Sequence, residues 1–577
     1  MQAHTPTTNR QLPYRLADFA TLPQALDYAA LGETGLNFYT GKGELAEALP
    51  YARLREQAQQ LARKLIASGM QPGERVALIA DTDGDFARGF FACEYAGLVP
   101  TTLPLPAAFG GRAAYVAHIR RMIESAEVSA AFAPASMEDR LIEACDGLGL
   151  KQVGTLAVLD AVAPFEGPLP RVGEDDFCYL QFSSGSTRFP LGVAVTQRAL
   201  MANVRGIARD GLQIGPSDRC SSWLPLYHDM GLIGFLLTPL VCQISVDMFA
   251  TRDFARRPLL WLDLITRNGA TLSYSPTFGY ELAARRAETA PIDHLDLSRW
   301  RGAGIGGDMV RPAPLQKFSE RFAARGFAAS AFVPSYGMAE TALALSFAPA
   351  GQGIRADHLD IDVLEREHRA VLAADDSPRR RDFVLCGPVL PEHAMEVRDQ
   401  GRLLSEGQVG RIYARGPSLM HSYYGQPEAT AAVLSADGWL DTGDLGYLRE
   451  GQIVITGRAK DLIIINGRNI WPQDLEWTAE SEIEALRSGD VAAISVDDGH
   501  GEQVLVLVEF RSADAAARDA LCHQVGDLLR LRHGIEVRVL TVPPRSLPRT
   551  SSGKLSRAGA RKLYLEGQFA AADGHDA

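Results

Sequence analysis

The residues with the most chemical capacity fall in five short stretches. The first, SSGSTRFPLGV from Ser183 to Val193, directly follows the apolar run CYLQF. Its hydroxyls on Ser183, Ser184, Ser186 and Thr187, with Gly185 among them, let N–H and O–H groups converge on phosphate oxygens. It is not a Walker A loop, since G-x4-G-K-[ST] occurs nowhere in the chain. Taken alone, such a Ser/Gly run is more often a plain turn. In the second, LPLYHDMGLIG from Leu224 to Gly234, His228 and Asp229 interrupt an apolar run, and a lone histidine there is more often structural than catalytic. The third, PSYGMAET from Pro334 to Thr341, sets Tyr336 and Glu340 four residues apart around Gly337. That spacing offers a ring to stack on a base and a carboxylate to hold Mg²⁺. The fourth joins GWLDTGDLGYL, Gly438 to Leu448, to GRAKDLIIINGRNIWPQDLE, Gly457 to Glu476. Asp444 suits two ribose hydroxyls and Arg458 adds a forked donor, although each also fits half of a surface ion pair. The fifth, PRTSSGKLSR, puts Lys554 on a glycine-bearing loop near the C-terminus, where a lone lysine usually faces solvent.

In this order and spacing the five stretches resemble the acyl- and aryl-adenylate-forming superfamily of acyl-CoA synthetases, luciferases and peptide-synthetase adenylation domains, from about Tyr51 to Leu565. Within it the chain is most similar to the fatty acyl-AMP ligases. Arg188 and Leu191 stand where the general loop S-G-S/T-T-G-x-P-K-G has glycine and lysine, and NGRNIWPQDLE resembles that group's G-R-N-x-Y-P-Q-D-I-E. The chain departs from it at GIGGDMV, Gly304 to Val310, where N-G-A-E-P-V is usual, and at AETAL, which moves the threonine beside Glu340.

The resemblance implies ATP-dependent conversion of a fatty acid to acyl-AMP with release of pyrophosphate, then transfer to the phosphopantetheine thiol of an acyl carrier protein. It implies Tyr336, with Gly337, against adenine; Asp444 and Arg458 on the ribose; and Ser183 to Thr187 around pyrophosphate. Mg²⁺ falls to Glu340 and Thr187, His228 to the carboxylate at the mouth of an acyl tunnel, and Lys554 to the bridge between carboxylate and α-phosphate. The tunnel is expected from Met230, Gly231 and Ile233 and from Phe278 in SYSPTFGY, apolar surface that matches an alkyl chain. Lys460 occupies the hinge position. No D-S-L-like attachment serine follows Leu565, so the carrier is expected on a separate chain.

These residues need a scaffold, and the intervening sequence predicts one. Short apolar runs such as RVALIA, AAFAPA and FCYLQF alternate with helical patterns such as YARLREQAQQLARKLIASG, where Leu54, Ala58, Leu61 and Leu65 recur at helical spacing before Gly69. The alternation predicts a large N-terminal α/β layered domain, residues 1–457. A hinge at 458–461 leads to a smaller α+β domain, 462–577, with strand-like LIIIN and VLVLVEF and a helix from Ala513 to Leu531. Leu103 to Gly111 and Pro164 to Pro170 read as loops.

Hydrophobic residues make up 46% and charged residues 22% of 577, an ordinary globular balance, and the net charge of -12 argues against nucleic acid or anionic membrane as a partner. Seven scattered cysteines, none in C-x-x-C, read as reduced and mostly buried. The N-terminus lacks a signal-peptide core, and Met230 to Val246 is too interrupted to span a membrane, so a cytoplasmic enzyme is expected.

Two features stand outside the motifs. Residues Gln352 to Asp382 look inserted, with a possible apolar stripe (Ile361, Leu364, Val371) and an exposed basic turn, Arg379 to Arg381. Nine basic residues against one acidic lie between Arg530 and Lys562, which suggests a docking face for an acidic carrier. Two alternatives remain at this stage: an acyl-CoA synthetase with the same first step, and a nucleotide-binding regulatory protein without catalysis.

Overall fold

The computed structural model describes residues 12–106, 111–183, 190–374, 377, 379–465, 468–497, 502–550 and 554–569. The apolar runs become neighbouring strands. Phe177–Phe182, Val99–Leu103, Arg75–Ile79 and Val128–Phe132 lie side by side and parallel in a seven-stranded sheet. Parallel strands are covered on both faces, which is why they read as unbroken apolar runs rather than alternating ones. The predicted helix spans Tyr51–Ala67 and buries Tyr51, Leu54, Ala58, Ala62 and Leu65; it stops before Gly69, whose φ of 89° turns the chain away.

A second sheet has eight strands, in the order Ala344–Phe347, Phe332–Gly337, Gly302–Ile305, Leu272–Ser275, Arg219–Ser222, Ser245–Phe249, Gly35–Tyr39 and Leu45–Pro50. Its six inner strands pair in parallel, so their carboxyl ends come out on one side, where open α/β sheets bind ligands. One apolar cluster runs through both sheets and the helices that cover them.

A third, antiparallel sheet carries Ala356–Asp360, Arg380–Pro388, Gln452–Arg458, Leu440–Arg449, Gly410–Arg415, Ala394–Asp399 and Arg402–Leu403. Its register sets Asp444 opposite Arg458. Beyond it, Val491–Asp497, Glu502–Glu509 and Val537–Val542 form a three-stranded sheet with its own apolar cluster. The helix expected at Ala513 to Leu531 is Ala515–His533, capped by the Asp514 side chain on the Ala516 N–H and ended by Gly534 at φ 63°. The fold is thus α/β with a smaller α+β part.

The Gln352 to Asp382 stretch supplies an edge strand, Ala356–Asp360, then a short helix, Ile361–Glu367, then the start of Arg380–Pro388. Ile361 and Leu364 of its expected stripe are buried in one cluster with Trp471 and Leu462. The basic turn is not wholly exposed: Arg379 pairs with Asp362 and Glu365, and Arg381 is buried against Asp474, leaving only Arg380 in solvent. Each of those arginines meets a carboxylate too distant in sequence to show as local patterning. The Arg530 to Lys562 patch is likewise dispersed. Arg557 is buried between Glu476 and Asp461, Lys554 faces inward, and Arg530, Arg532 and Lys562 are each paired with an acidic side chain. Among the described residues no helix is long and apolar enough to cross a membrane. Six of the seven cysteines are buried.

Candidate active site

At the carboxyl ends of the second sheet lies a cavity of about 480 Å³. Its deep end is apolar, lined by Ile207, Leu212, Ile214, Cys220, Phe235 and Leu272. Two of its walls, Ile207–Gly211 and Ile233–Leu237, are single π-helical turns, a widening of the helix that recurs at functional sites. Met230 lines the chamber, whereas Gly231, Ile233 and Phe278 do not. Gly231 is needed for packing, because a Cβ there would stand 2.1 Å from the Pro225 carbonyl oxygen. Ile233 points into the core, and Phe278 sits half exposed against Trp223. The apolar run was readable in the sequence, but which of its faces met the cavity depended on the π turn.

The near end is charged. His228 Nδ1 lies 2.6 Å from Asp229 Oδ1. Burial alone would push the Asp229 carboxyl up, but His228 and Lys554 hold it below the usual carboxylate range. Glu340 accepts a 2.8 Å hydrogen bond from the Tyr423 hydroxyl. Its carboxyl is pushed up by burial, with that bond opposing. Tyr336 donates its hydroxyl to Asp444 at 2.8 Å, and Arg458 Nε stands 3.3 Å from the other oxygen of the same carboxylate. Burial raises the Asp444 pKa against the pull of Arg458 and Tyr336. Lys460 lines the same rim, its amine lowered by burial and by Arg458.

Lys554 reaches the rim from the C-terminal part of the chain. The loop that carries it is closed by the Thr550 N–H on the Lys554 carbonyl at 2.8 Å and by the Arg549–Leu555 bridge. Just beyond, Arg557 clamps Glu476 and Asp461, the latter at 3.0 Å. Burial lowers the Lys554 amine below its ordinary value, partly restored by Asp308 and Asp229. A smaller cavity of about 210 Å³ adjoins, lined by Asp444, Gln473 and Arg557 and sharing Tyr336, Gly337, Arg458 and Lys554 with the first.

The structure therefore gathers His228, Glu340, Tyr336, Gly337, Asp444, Arg458, Lys460, Lys554 and Ser183 around adjoining cavities. Ser184, Gly185, Ser186 and Thr187 lie outside the described residues. The sequence reading missed Tyr423, whose partner Glu340 is 83 residues away, and the inward role of Arg557. Asp229 was signalled by its place beside His228. The arrangement offers cationic groups to an anionic substrate at the mouth of a greasy chamber, as joining a long-chain carboxylate to a nucleotide phosphate demands.

Comparison with known proteins agrees with that chemistry. Residues 37–424 match the AMP-binding enzyme family. A Caulobacter vibrioides protein named "Putative acyl-CoA synthetase" is 56% identical over 566 residues, covering 98% of each chain. The long-chain-fatty-acid–AMP ligase FadD32 of Mycolicibacterium smegmatis is 32% identical, with 93% of this chain and 92% of that one aligned. Among solved structures, one from work on fatty acyl-adenylate ligases of E. coli and L. pneumophila superposes with a TM-score of 0.91 at 43% identity, covering 97% of this chain and 100% of the other. With the charged rim and apolar chamber already in place, these matches settle the family: the chain belongs to the AMP-binding enzymes, as a fatty acyl-AMP ligase.

Proposed function

We propose that the enzyme condenses a fatty acid with ATP at the rim of the large cavity and then passes the acyl group to the phosphopantetheine thiol of an acyl carrier protein on another chain. The observation that carries this reading is the position of Lys554, which lines both cavities where the charged rim meets the apolar chamber. In the first step a carboxylate oxygen bonds to the α-phosphorus, and pyrophosphate leaves with the electron pair of the broken P–O bond. Both reactants are anionic, so the protein's work is electrostatic. The ammonium of Lys554 offsets charge on the pentavalent phosphorus, and His228, oriented by Asp229, holds the carboxylate. Tyr336 presents its ring to adenine while its hydroxyl fixes Asp444, which with Arg458 takes the ribose.

Glu340 fits Mg²⁺, being an acidic group on the cavity wall where the triphosphate would lie. Mg²⁺ is ordinarily held by one or two carboxylates together with phosphates, and no cluster of three acidic, histidine or cysteine ligands is present among the described residues. When bound, the ion neutralises phosphate charge. Tyr423 keeps Glu340 in place for it.

Transfer needs Lys554 to withdraw and a thiol to enter, through a hinge at 458–461 between residues 1–457 and 462–577. The thiol sulfur then bonds to the acyl carbon, AMP leaves with the C–O electron pair, and the thiol proton passes to solvent. Residues 352–382 bear on this step through Glu365 to Arg468, 2.7 Å apart, and Arg381 to Asp474, contacts that bias which arrangement is populated. The name of the Caulobacter relative favours a second reading, with coenzyme A as acceptor. Incubation with ATP, Mg²⁺ and a fatty acid, with either holo-acyl carrier protein or coenzyme A, separates them by mass spectrometry. Acyl-AMP and acyl-carrier without acyl-CoA are expected; acyl-CoA at a comparable rate sinks the carrier reading.

A further inference from the structure

We propose that the acid this site prefers has roughly ten carbons, a limit set by the floor loop Leu212–Ile214 that Arg301 and Tyr14 hold in place; the inference rests on the fatty-acid reading above. The depth of the chamber follows from the register of its sheet. Gly306 lines the large cavity and its neighbour Gly307 lines both cavities, which puts them at the charged rim. Leu272 and Cys220, which pair across adjacent strands, line the deep end. Gly302 is level with Leu272 and Ile305 with Ser275. Gly306 therefore stands four residues along the strands from the floor, a rise of about 13 Å. An extended alkyl chain, zigzagging with C–C bonds of about 1.5 Å, covers that distance in about ten carbons.

A floor limits length only if it cannot drop away, and this one is tied from behind. Leu212 and Ile214 line the deep end. Three consecutive carbonyls of their loop are each held by a side chain from a distant segment. Leu212 and Gln213 accept from the Arg301 guanidinium at 2.8 and 3.0 Å, and Ile214 accepts from the Tyr14 hydroxyl at 2.7 Å. Arg301 is fixed in turn by the buried Asp218, which accepts from its Nε at 2.9 Å and from Thr271 Oγ1 at 2.7 Å. Thr271 directly precedes Leu272, so one network fastens the loop to the strand that ends the chamber. Gln213 stands at φ 49°, a left-handed conformation that a residue with a side chain keeps only where its surroundings enforce it. Each methylene that enters the chamber gains by leaving water, until the chain meets this floor; further carbons must buckle against close-packed side chains.

Pyrophosphate release by the full chain, with saturated acids of even length from hexanoate to octadecanoate, tests this directly. In the parent, kcat/KM should climb to a peak between octanoate and dodecanoate and fall about tenfold or more by hexadecanoate, the discrimination open to a pocket that excludes added methylenes. Tyr14→Phe removes one tie, and Arg301→Lys keeps a charge beside Asp218 but loses the fork that reaches both carbonyls. Each should raise the ratio of hexadecanoate to decanoate several-fold. Cys220→Leu, which adds bulk to the floor, should move the peak to shorter acids. A parent peak outside octanoate to dodecanoate, or a profile that none of the three variants moves, overturns the inference while leaving adenylation standing. Failure of every acid to release pyrophosphate would instead remove the adenylation reading and this inference with it.

Discussion

Two boundaries inside this molecule are built by opposite means. Between the two parallel-stranded sheets and the helices that cover them the joint is a continuous apolar core. Between residues 460–490 and the chain that precedes them the joint is mostly charge. Arg381 meets Asp474, Glu365 meets Arg468, and Arg311 donates to the Ser488 hydroxyl at 2.9 Å. Arg311 and Arg381 both lie over the Trp477 ring, at 5.6 and 5.2 Å. One small apolar cluster, around Trp471 and Leu364, crosses it. Apolar burial contributes about 25 cal/mol per Å² and ties a joint shut, whereas a buried ion pair comes near to balance against its desolvation. A joint of the second kind is the one the proposed transfer step would release and remake, since Lys554 follows it in the chain.

The largest effect should come from cutting the charged side at its tip. Lys554→Ala is expected to lower acyl-AMP formation by about a hundredfold or more, the scale of one lost transition-state charge contact, with much less change in ATP affinity by calorimetry. Near-normal pyrophosphate release in that variant would take Lys554 out of the mechanism.

A smaller but more diagnostic loss should follow at the base of the same loop. Arg557 is buried between Glu476 and Asp461, so Arg557→Ala strands two carboxylates, a change worth about 3–5 kcal/mol for buried pairs. Misplacing Lys554 should then slow adenylation by about ten- to a hundredfold. Arg561, four residues on and exposed, should tolerate alanine with activity within about twofold. Equal effects of the two substitutions would mean that the clamp does not position the loop.

That pair also shows what the sequence could and could not tell. Counting charges grouped Arg557 with Arg561, because composition records sign but not direction. The strands around Arg75, Val99 and Phe177 were legible, since parallel pairing buries both faces and leaves an uninterrupted apolar signature. His228, Tyr336, Asp444 and Lys554 were legible only as a set in order, through resemblance; none of them stands out from a core histidine or a surface lysine by itself. Tyr423 beneath Glu340 and the arginines of residues 352–382 stayed hidden, because their partners lie across the fold rather than along the chain. The lining of the large cavity was half legible: hydrophobicity marked the run after His228, but a π turn decided that Phe235 and not Ile233 faces the cavity.

The smallest expected effect asks whether the charged joint holds the molecule together or is merely tolerated by it. The Asp474 carboxyl is pushed up to about 6 by burial, with Arg381 opposing. An aspartate in an unfolded chain titrates near pH ~3.9, so the folded protein binds this proton more tightly. Its contribution then favours the folded form fully below about pH 4 and is lost as pH rises through about 6. Asp474→Asn removes the titration while keeping the shape. Across that window the parent's melting temperature should therefore fall relative to the variant's as pH rises, by a few degrees at most in a chain of this size. Such a slope would mean that desolvation outweighs the ion pair at this joint, as the proposed opening of the boundary requires. The opposite slope, with the parent gaining on the variant toward pH ~7, would mean that Arg381 and Asp474 lock the joint, and the contrast with the apolar boundary would lose its energetic basis.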